Sequence, residues 1–274
     1  MPLLAQLRQV SVGGGYVEWP TDTLRARAKN AHVEGVAASD GPLTTPTRTF
    51  NHVQTFYDSG FVSDRQRNVT HAGTGDMLTY QERKLFLAHR NDIEHALHRG
   101  SAASGTTNVA PQLNGLLNHS STLLSDHSGV TLTETVFNDI LQRSFDFMVN
   151  LTQAYVGPLL KRTISGYTTN VTRNIDADRR RQILAIDNYD SDFGPVEVVK
   201  SRDQINAATK TTDTANTILI VDPELMQTGW LQRTRSERLA RGGIRDSFQI
   251  SSELTLIVRA PQAINGATNV RPNI

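Results

Sequence analysis

The feature that most limits how this chain can fold is the run DMLTYQERKLFLAHRNDIEHALHRG, residues 76–100. It contains no Pro, and its only Gly is the last residue. Leu78, Leu85, Phe86, His89, Ile93, Ala96 and Leu97 recur at steps near three, four and seven, which puts them on one stripe of a helix. Asp76 predicts an N-cap, Thr79 with Glu82 a capping box one turn later, and Gly100 a left-handed closing residue. At 1.5 Å per residue such a helix is roughly 36 Å long. Its charges, Arg83, Lys84, Arg90 and Arg99 against Asp76, Glu82, Asp92 and Glu94, read as a solvated outer face.

The rest of the chain is mixed, and α+β is the expected class. Residues 1–45 read as an arm, broken by Gly13-Gly14-Gly15 and poor in apolar residues to bury. Residues 46–72 alternate partially (Phe50, Val53, Tyr57, then Phe61, Val62, Val69) and predict a hairpin turning at Asp58-Ser59-Gly60. Such a two-stranded ribbon needs another surface to lie on. Thr131-Leu132-Thr133-Glu134 predicts a capping box that opens a helix carrying Val136, Phe137, Ile140, Leu141, Phe145 and Met148. A strand at 154–156, a helix 158–167 starting with Pro158, strands at 183–189 and 196–199, and a buried strand at 218–221 follow. Residues 230–241 and 247–260 read as two long strands around Gly242-Gly243. They are placed to pack on the 76–100 stripe, with 110–228 inserted as a second domain.

Several functions are excluded or disfavoured. The chain has no Cys, so disulfides, thiolate zinc sites and cysteine nucleophiles are out. No apolar run approaches the ~20 residues of a membrane span. Asp176, Asp178, Asp187, Asp190 and Asp192 lack the spacing of a calcium loop, and Asp190–Gly194 reads as a turn. The spacing of His89, His95 and His98 does not suit a zinc helix. Ser125-Asp126-His127 has triad residue types, but contiguous residues do not adopt triad geometry. No catalytic, cofactor or metal site is expected. A net charge of +1 argues against strong nucleic-acid affinity from bulk charge. Only five of the 28 basic residues are Lys, however, and Arg suits protein interfaces. Arg233, Arg235, Arg238, Arg241 and Arg245 cluster with only Glu237 opposing them. Strand alternation puts Arg233 and Arg235 on one face, and Arg238 and Arg241 on opposite faces.

The order of motifs carries a resemblance. Val17-Glu18-Trp19 with Asp22-Thr23-Leu24, Val33-Glu34-Gly35, the helix GDMLTYQERK…RNDIEHALHRG, NIDADRR…AIDNYDSDFGPVEVV, ILIVDPELMQTGWLQRTRSERLARGG and ELTLIVRAPQAINGA occur in sequence over most of the chain. Together they resemble a family of tailed-bacteriophage major capsid proteins with the Hong Kong 97 type of capsid fold. The resemblance implies an N-terminal arm (1–45), an extended loop hairpin (46–75) and a peripheral domain (76–109 and 229–274) with the long spine helix and long strands. The inserted axial domain would be 110–228.

The implied function is structural: self-assembly through pentamers and hexamers into an icosahedral head around double-stranded DNA. The DNA contact would be weak and non-specific. Inter-subunit contacts are expected at Arg48, Phe50, Tyr57, Phe61, Arg65, Arg67, Arg233, Arg235, Arg238 and Arg241. Separate scaffolding, portal and decoration proteins are the implied partners, with no membrane. Residues 46–75 hold no Lys, so the covalent locking that some relatives make through a loop lysine is not expected by that route. The alternative within the fold is an encapsulin-like nanocompartment shell. The alternative outside it is a metal-dependent enzyme using the 176–192 carboxylates.

Overall fold

The computed structural model describes residues 2–22, 25, 28–37, 45–69, 73, 75–119, 123–146, 149–167, 188–204 and 216–273. The N-terminal half comprises α1 (Pro2–Gln6), β1 (Arg8–Ser11), β2 (Tyr16–Thr21), β3 (Thr47–His52), β4 (Gln54–Ser63), α2 (Asp64–Asn68), α3 (Met77–Arg99) and α4 (Leu116–His119). There follow β5 (Leu124–Asp126), α5 (Glu134–Asp146), β6 (Gln153–Val156), α6 (Pro158–Ser165), β7 (Asn188–Ser191) and β8 (Gly194–Lys200). The chain closes with β9 (Asn216–Val221), β10 (Met226–Arg238), β11 (Arg245–Val258) and β12 (Ile264–Val270). Among the described residues no helix is long and apolar enough to cross a membrane.

α3 forms as its sequence dictates and Asp76 caps it as predicted, but the Thr79–Glu82 capping box and the left-handed closing residue are not formed. Asp76 accepts from the Leu78 and Thr79 amides and from the Thr79 hydroxyl. Thr79 and Glu82 therefore make no capping box; the Glu82 carboxylate instead takes the Ser236 hydroxyl of β10. Gly100 is not left-handed (φ −52°, ψ 139°). It is needed for a close backbone crossing, because a Cβ there would stand 2.5 Å from the Ala96 oxygen and 2.6 Å from the Leu113 oxygen. Gly115 meets it from the other side and donates to its carbonyl at 2.9 Å.

The long strands take the predicted places in a four-stranded sheet, order β1-β10-β11-β4, against which α3 packs. Leu3, Leu4, Leu7, Phe56, Ile93, Leu97, Trp230, Leu254 and Leu256 share the core between them. Two expectations are corrected here. The start of the arm is built in: β1 pairs parallel with β10, α1 buries Leu3 and Leu4, and Leu7 just after it is buried too. At about 1.5–3 kcal/mol per buried side chain, that burial, together with the β1–β10 pairing, offsets the cost of ordering the segment. The 46–72 hairpin does not form either. β4 runs straight through Asp58-Ser59-Gly60 and pairs along its length with β11, while β3 pairs with β2. Gly60 is present because the Phe248 ring covers it, with a Cβ there 2.7 Å from the ring, and not to make a turn. The free ribbon is therefore β2–β3, with residues 22–46 between its strands. Lys29 lies in that segment.

The second sheet has the order β5-β12-β9-β6-β8-β7, with α5 and α6 packed on it over Phe137, Ile140, Leu160, Ile164 and Ile218. β12 belongs here, paired with β9 and β5, so the chain leaves the first sheet after Val258. The expected extent 229–274 for the peripheral unit overruns this crossing. α5 is capped by Thr133, whose hydroxyl accepts from Val136, two residues after the predicted Thr131. Glu134 takes the Tyr189 hydroxyl. β7 and β8 meet at the predicted turn, closed by Ser191 and Gly194. Met148 and residues 183–187 lie outside the described residues.

We predict that Gly100→Ala and Gly115→Ala each destabilise the protein by about 1–3 kcal/mol, the cost of overpacking against backbone. Gly13→Ala, with nothing within 4 Å of the added Cβ, is the neutral control. Thermal denaturation of the three variants checks this.

Candidate assembly surface

Among the described residues the β2–β3 ribbon is fixed through one face, from its Tyr16–His52 end as far as Trp19. Trp19 donates its indole N–H to the Val258 carbonyl at 2.7 Å, and Asn51 donates to Leu256 (2.8 Å) and Asn114 (3.1 Å). Thr255 donates to the His52 carbonyl at 2.8 Å. His119 sits under this root, 6.4 Å from the Trp19 ring and 3.4 Å from the Asn51 amide nitrogen. Burial pushes its imidazole down to about 4. The face of the ribbon opposite Trp19 and Asn51 is open. Tyr16, Phe50 and His52 cluster in ring contact, with Tyr16 and Phe50 about half exposed. Val33 and Val36 are exposed by 83% and 62%.

The outer face of β4 is the second candidate surface. Alternation turns Phe56, Asp58 and Val62 inward, and Tyr57 (58% exposed) and Phe61 (61%) outward. The Arg245 guanidinium lies over the Phe61 ring at 5.0 Å. On the inner face Asp58 meets His89 Nδ1 at 2.6 Å, and His89 Nε2 meets the Ser252 hydroxyl at 2.7 Å. These are the residue types of a catalytic triad, but His89 and Ser252 are fully buried, with no room for a substrate. The set locks α3 to β4 and β11. Ser125 and His127 are also in contact, at 3.0 Å, while Asp126 is engaged by Ser128 and Asn269.

The arginines divide into tied and free. Arg67 pairs with Asp246, and Arg241 pairs with Asp64 and, at 3.1 Å, with Asp246, which ties α2 to the β10–β11 turn. Arg48 meets Glu18 across the ribbon at 3.5 Å, and Arg235 meets Glu237 at 3.2 Å. Exposed pairs of this kind contribute only ~0–1 kcal/mol each. Arg65 and Arg238 are exposed and make no ion pair among the described residues. Strand parity misplaces two of the set. β10 carries register shifts between Trp230 and Gln232 and between Gln232 and Arg235. These turn Arg233 toward α3, where it lines a cleft with Phe86 and Arg90, while Arg235 lies opposite Ser251. Arg241 lies beyond the end of β10.

Sequence reasoning missed Glu94 by counting it as surface charge. It is 3% exposed and accepts from the Leu3 and Leu4 amides at 2.8 and 3.0 Å, holding the start of α1. Burial raises its pKa, but His98 and the two amides outweigh that and hold the carboxyl below its ordinary range. The available signal was its spacing: Glu94 and His98 are four apart and flank the buried Ile93 and Leu97. Conversely Phe86, predicted for the stripe, is 37% exposed. Of the acidic set, Asp190 lies in β7 and Asp192 follows it, while Asp176, Asp178 and Asp187 lie outside the described residues. Among the described residues no three His, Asp or Glu converge as metal ligands.

A family model described as SU10 major capsid protein matches residues 1–271. No curated protein sequence matches the chain. Among solved structures it is similar to the capsid of a native GTA particle (TM-score 0.68, 13% identity, 98% of this chain and 90% of that one). It is also similar to a chain of Gordonia phage Cozz (TM-score 0.65, 10% identity, 99% and 86%). The holo-SrpI encapsulin complex from Synechococcus elongatus PCC 7942 gives TM-score 0.60 at 11% identity, over 99% and 88%. At such identities the likeness is one of fold.

The ribbon root is predicted to weaken in acid. The folded-state pKa of His119 lies below its ordinary 6.5, so the unfolded chain takes up the proton first as pH falls. The stabilisation is complete above about pH 6.5 and is lost between there and about 4. Its size is on the order of 3 kcal/mol. Glu94, held low, adds a further loss as pH falls below the carboxylate range. Melting curves at pH 7, 5.5 and 4.5 should show a shallower fall for His119→Gln than for the native chain.

Proposed function

The chain belongs to the SU10 major capsid protein family, and we propose that its ribbon and the outer face of its β4–β11–β10 sheet are the surfaces through which copies join. Its role is structural: it is a major capsid protein, and it resides in the virion. The observation that carries the assembly reading is the ribbon, anchored through one face and exposing aromatic residues and valines that its own subunit leaves uncovered. Many such contacts in one shell allow each to be weak.

In this reading α3 and the first sheet form the peripheral domain, and the second sheet the axial domain around which pentamers and hexamers close. The shell would be icosahedral, hold double-stranded DNA by weak non-specific contact, and assemble in the host cytoplasm with separate scaffolding, portal and decoration proteins. Arg48, Phe50, Tyr57, Phe61, Arg65, Arg235 and Arg238 are the interface residues. Arg67 and Arg241 are tied to Asp246 and Asp64 of their own subunit and serve the interface by holding its shape, while Arg233, hydrogen-bonded to the neutral Gln9, remains an interface residue.

Light scattering and negative-stain microscopy of the purified chain, alone and with its scaffold, test this. Closed shells or rings of five or six are expected, and nucleic acid inside native particles distinguishes a phage head from a nanocompartment. Arg235→Glu with Arg238→Glu should reduce assembly at least about tenfold, each interface losing on the order of 1.4 kcal/mol or more, while circular dichroism shows a folded subunit. Normal shells from that variant would remove these two arginines from the interface.

A further inference from the structure

A cleft of about 320 Å³ opens between α1, α3 and β10. Leu4, Phe86, Ile93 and Trp230 give it apolar walls, and Arg90 and Arg233 stand in it. Arg233 donates to Gln9 at 3.1 Å, and among the described residues no carboxylate pairs with either arginine. The Trp230 indole N–H is buried and has no acceptor among the described residues. Phe86 also borders an adjoining apolar groove of about 500 Å³, with Leu87, which is 58% exposed. Two unneutralised guanidinium groups beside apolar walls call for a carboxylate flanked by apolar side chains.

The chain carries one such group in an unsupported position. Val33-Glu34-Gly35-Val36 is a tight turn in the segment between the ribbon strands, closed by the Val36 amide on the Val33 carbonyl at 3.3 Å. Gly35 takes the left-handed conformation (φ +79°) that this turn requires. The turn presents Glu34 between two valines whose exposure leaves them without cover in their own subunit. We propose that this turn of one copy seats in the α1–α3–β10 cleft of a neighbouring copy. Glu34 lies between Arg90 and Arg233 there, and the valines cover Phe86 and Leu87. The turn is already formed, so little conformational freedom is lost on docking. Because α1 supplies a wall of the cleft, only a copy with its arm in place can receive a neighbour. The inference rests on the shell reading above.

The absence of Cys makes the test clean. Full-length E34C/R233C, assembled into particles and oxidised, should give a ladder of linked chains on a non-reducing gel, at least tenfold above E34C/R65C. Particles of normal yield whose chains stay unlinked would overturn the proposal. So would protection of the introduced thiol at 233 while that at 34 stays reactive, since another occupant would then fill the cleft. Should E34C/R233C fail to assemble, E34R is expected to lower particle yield tenfold and E34R/R233E to restore it; no recovery overturns the proposal. If the unaltered chain forms no multimer with or without scaffold, the shell reading itself has failed, a result distinct from each of these.

Discussion

The fold depends on three polar side chains that α3 buries: His89, Glu94 and His98. A buried polar group without partners costs several kcal/mol in the extreme, and each of the three finds at least one partner. Their partners come from different parts of the chain. His89 takes Asp58 of β4 and Ser252 of β11, Glu94 takes the first amides of α1, and His98 takes Gln204 at 2.9 Å and packs edge-on against Tyr155 of β6. One helix thus specifies where the arm, the first sheet and the second sheet meet. Apolar burial supplies the larger energy, but leucines tolerate sliding, and a carboxylate seated on two amides does not.

The same logic explains how the surface is kept available. The inner face of β4 is consumed by Phe56, Asp58 and Val62, which leaves Tyr57 and Phe61 outward by strand alternation. The ribbon root is consumed by Trp19, Asn51 and His119, which leaves Tyr16 and Phe50 open. Anchoring one face or end rigidly is what allows the other to be presented in a fixed geometry. Stability and assembly are therefore carried by alternate residues of the same strands, and Asp58 and Tyr57, adjacent in sequence, serve opposite tasks.

Local patterns were legible where they act locally. The α3 stripe and its Asp76 cap, the Asp190–Gly194 turn, Pro158 opening α6, and the all-buried β9 were all readable from residue type and spacing. The arginine faces were not, because strand parity assumes an unbroken register and β10 carries two shifts that no residue type announces. Glu94 was not, because charge alone places a glutamate in water unless its partner, here a backbone terminus about ninety residues away, is known.

What the amino-acid sequence determined by itself is the inventory: a long amphipathic helix, two long strands, a chain without thiols, and a motif order that identifies the capsid family. Tertiary structure alone decided the pairings. Residues 54–63 have the same alternation whether they fold back on 46–52 or lie along β11, since a strand's period of two is blind to its partner. The outcome went to β11 because it offers ten paired residues and a fully buried face, with Phe248 covering Gly60 and His89 receiving Asp58. Released from that hairpin, residues 47–52 paired with 16–21, and the free ribbon arose from segments about thirty residues apart.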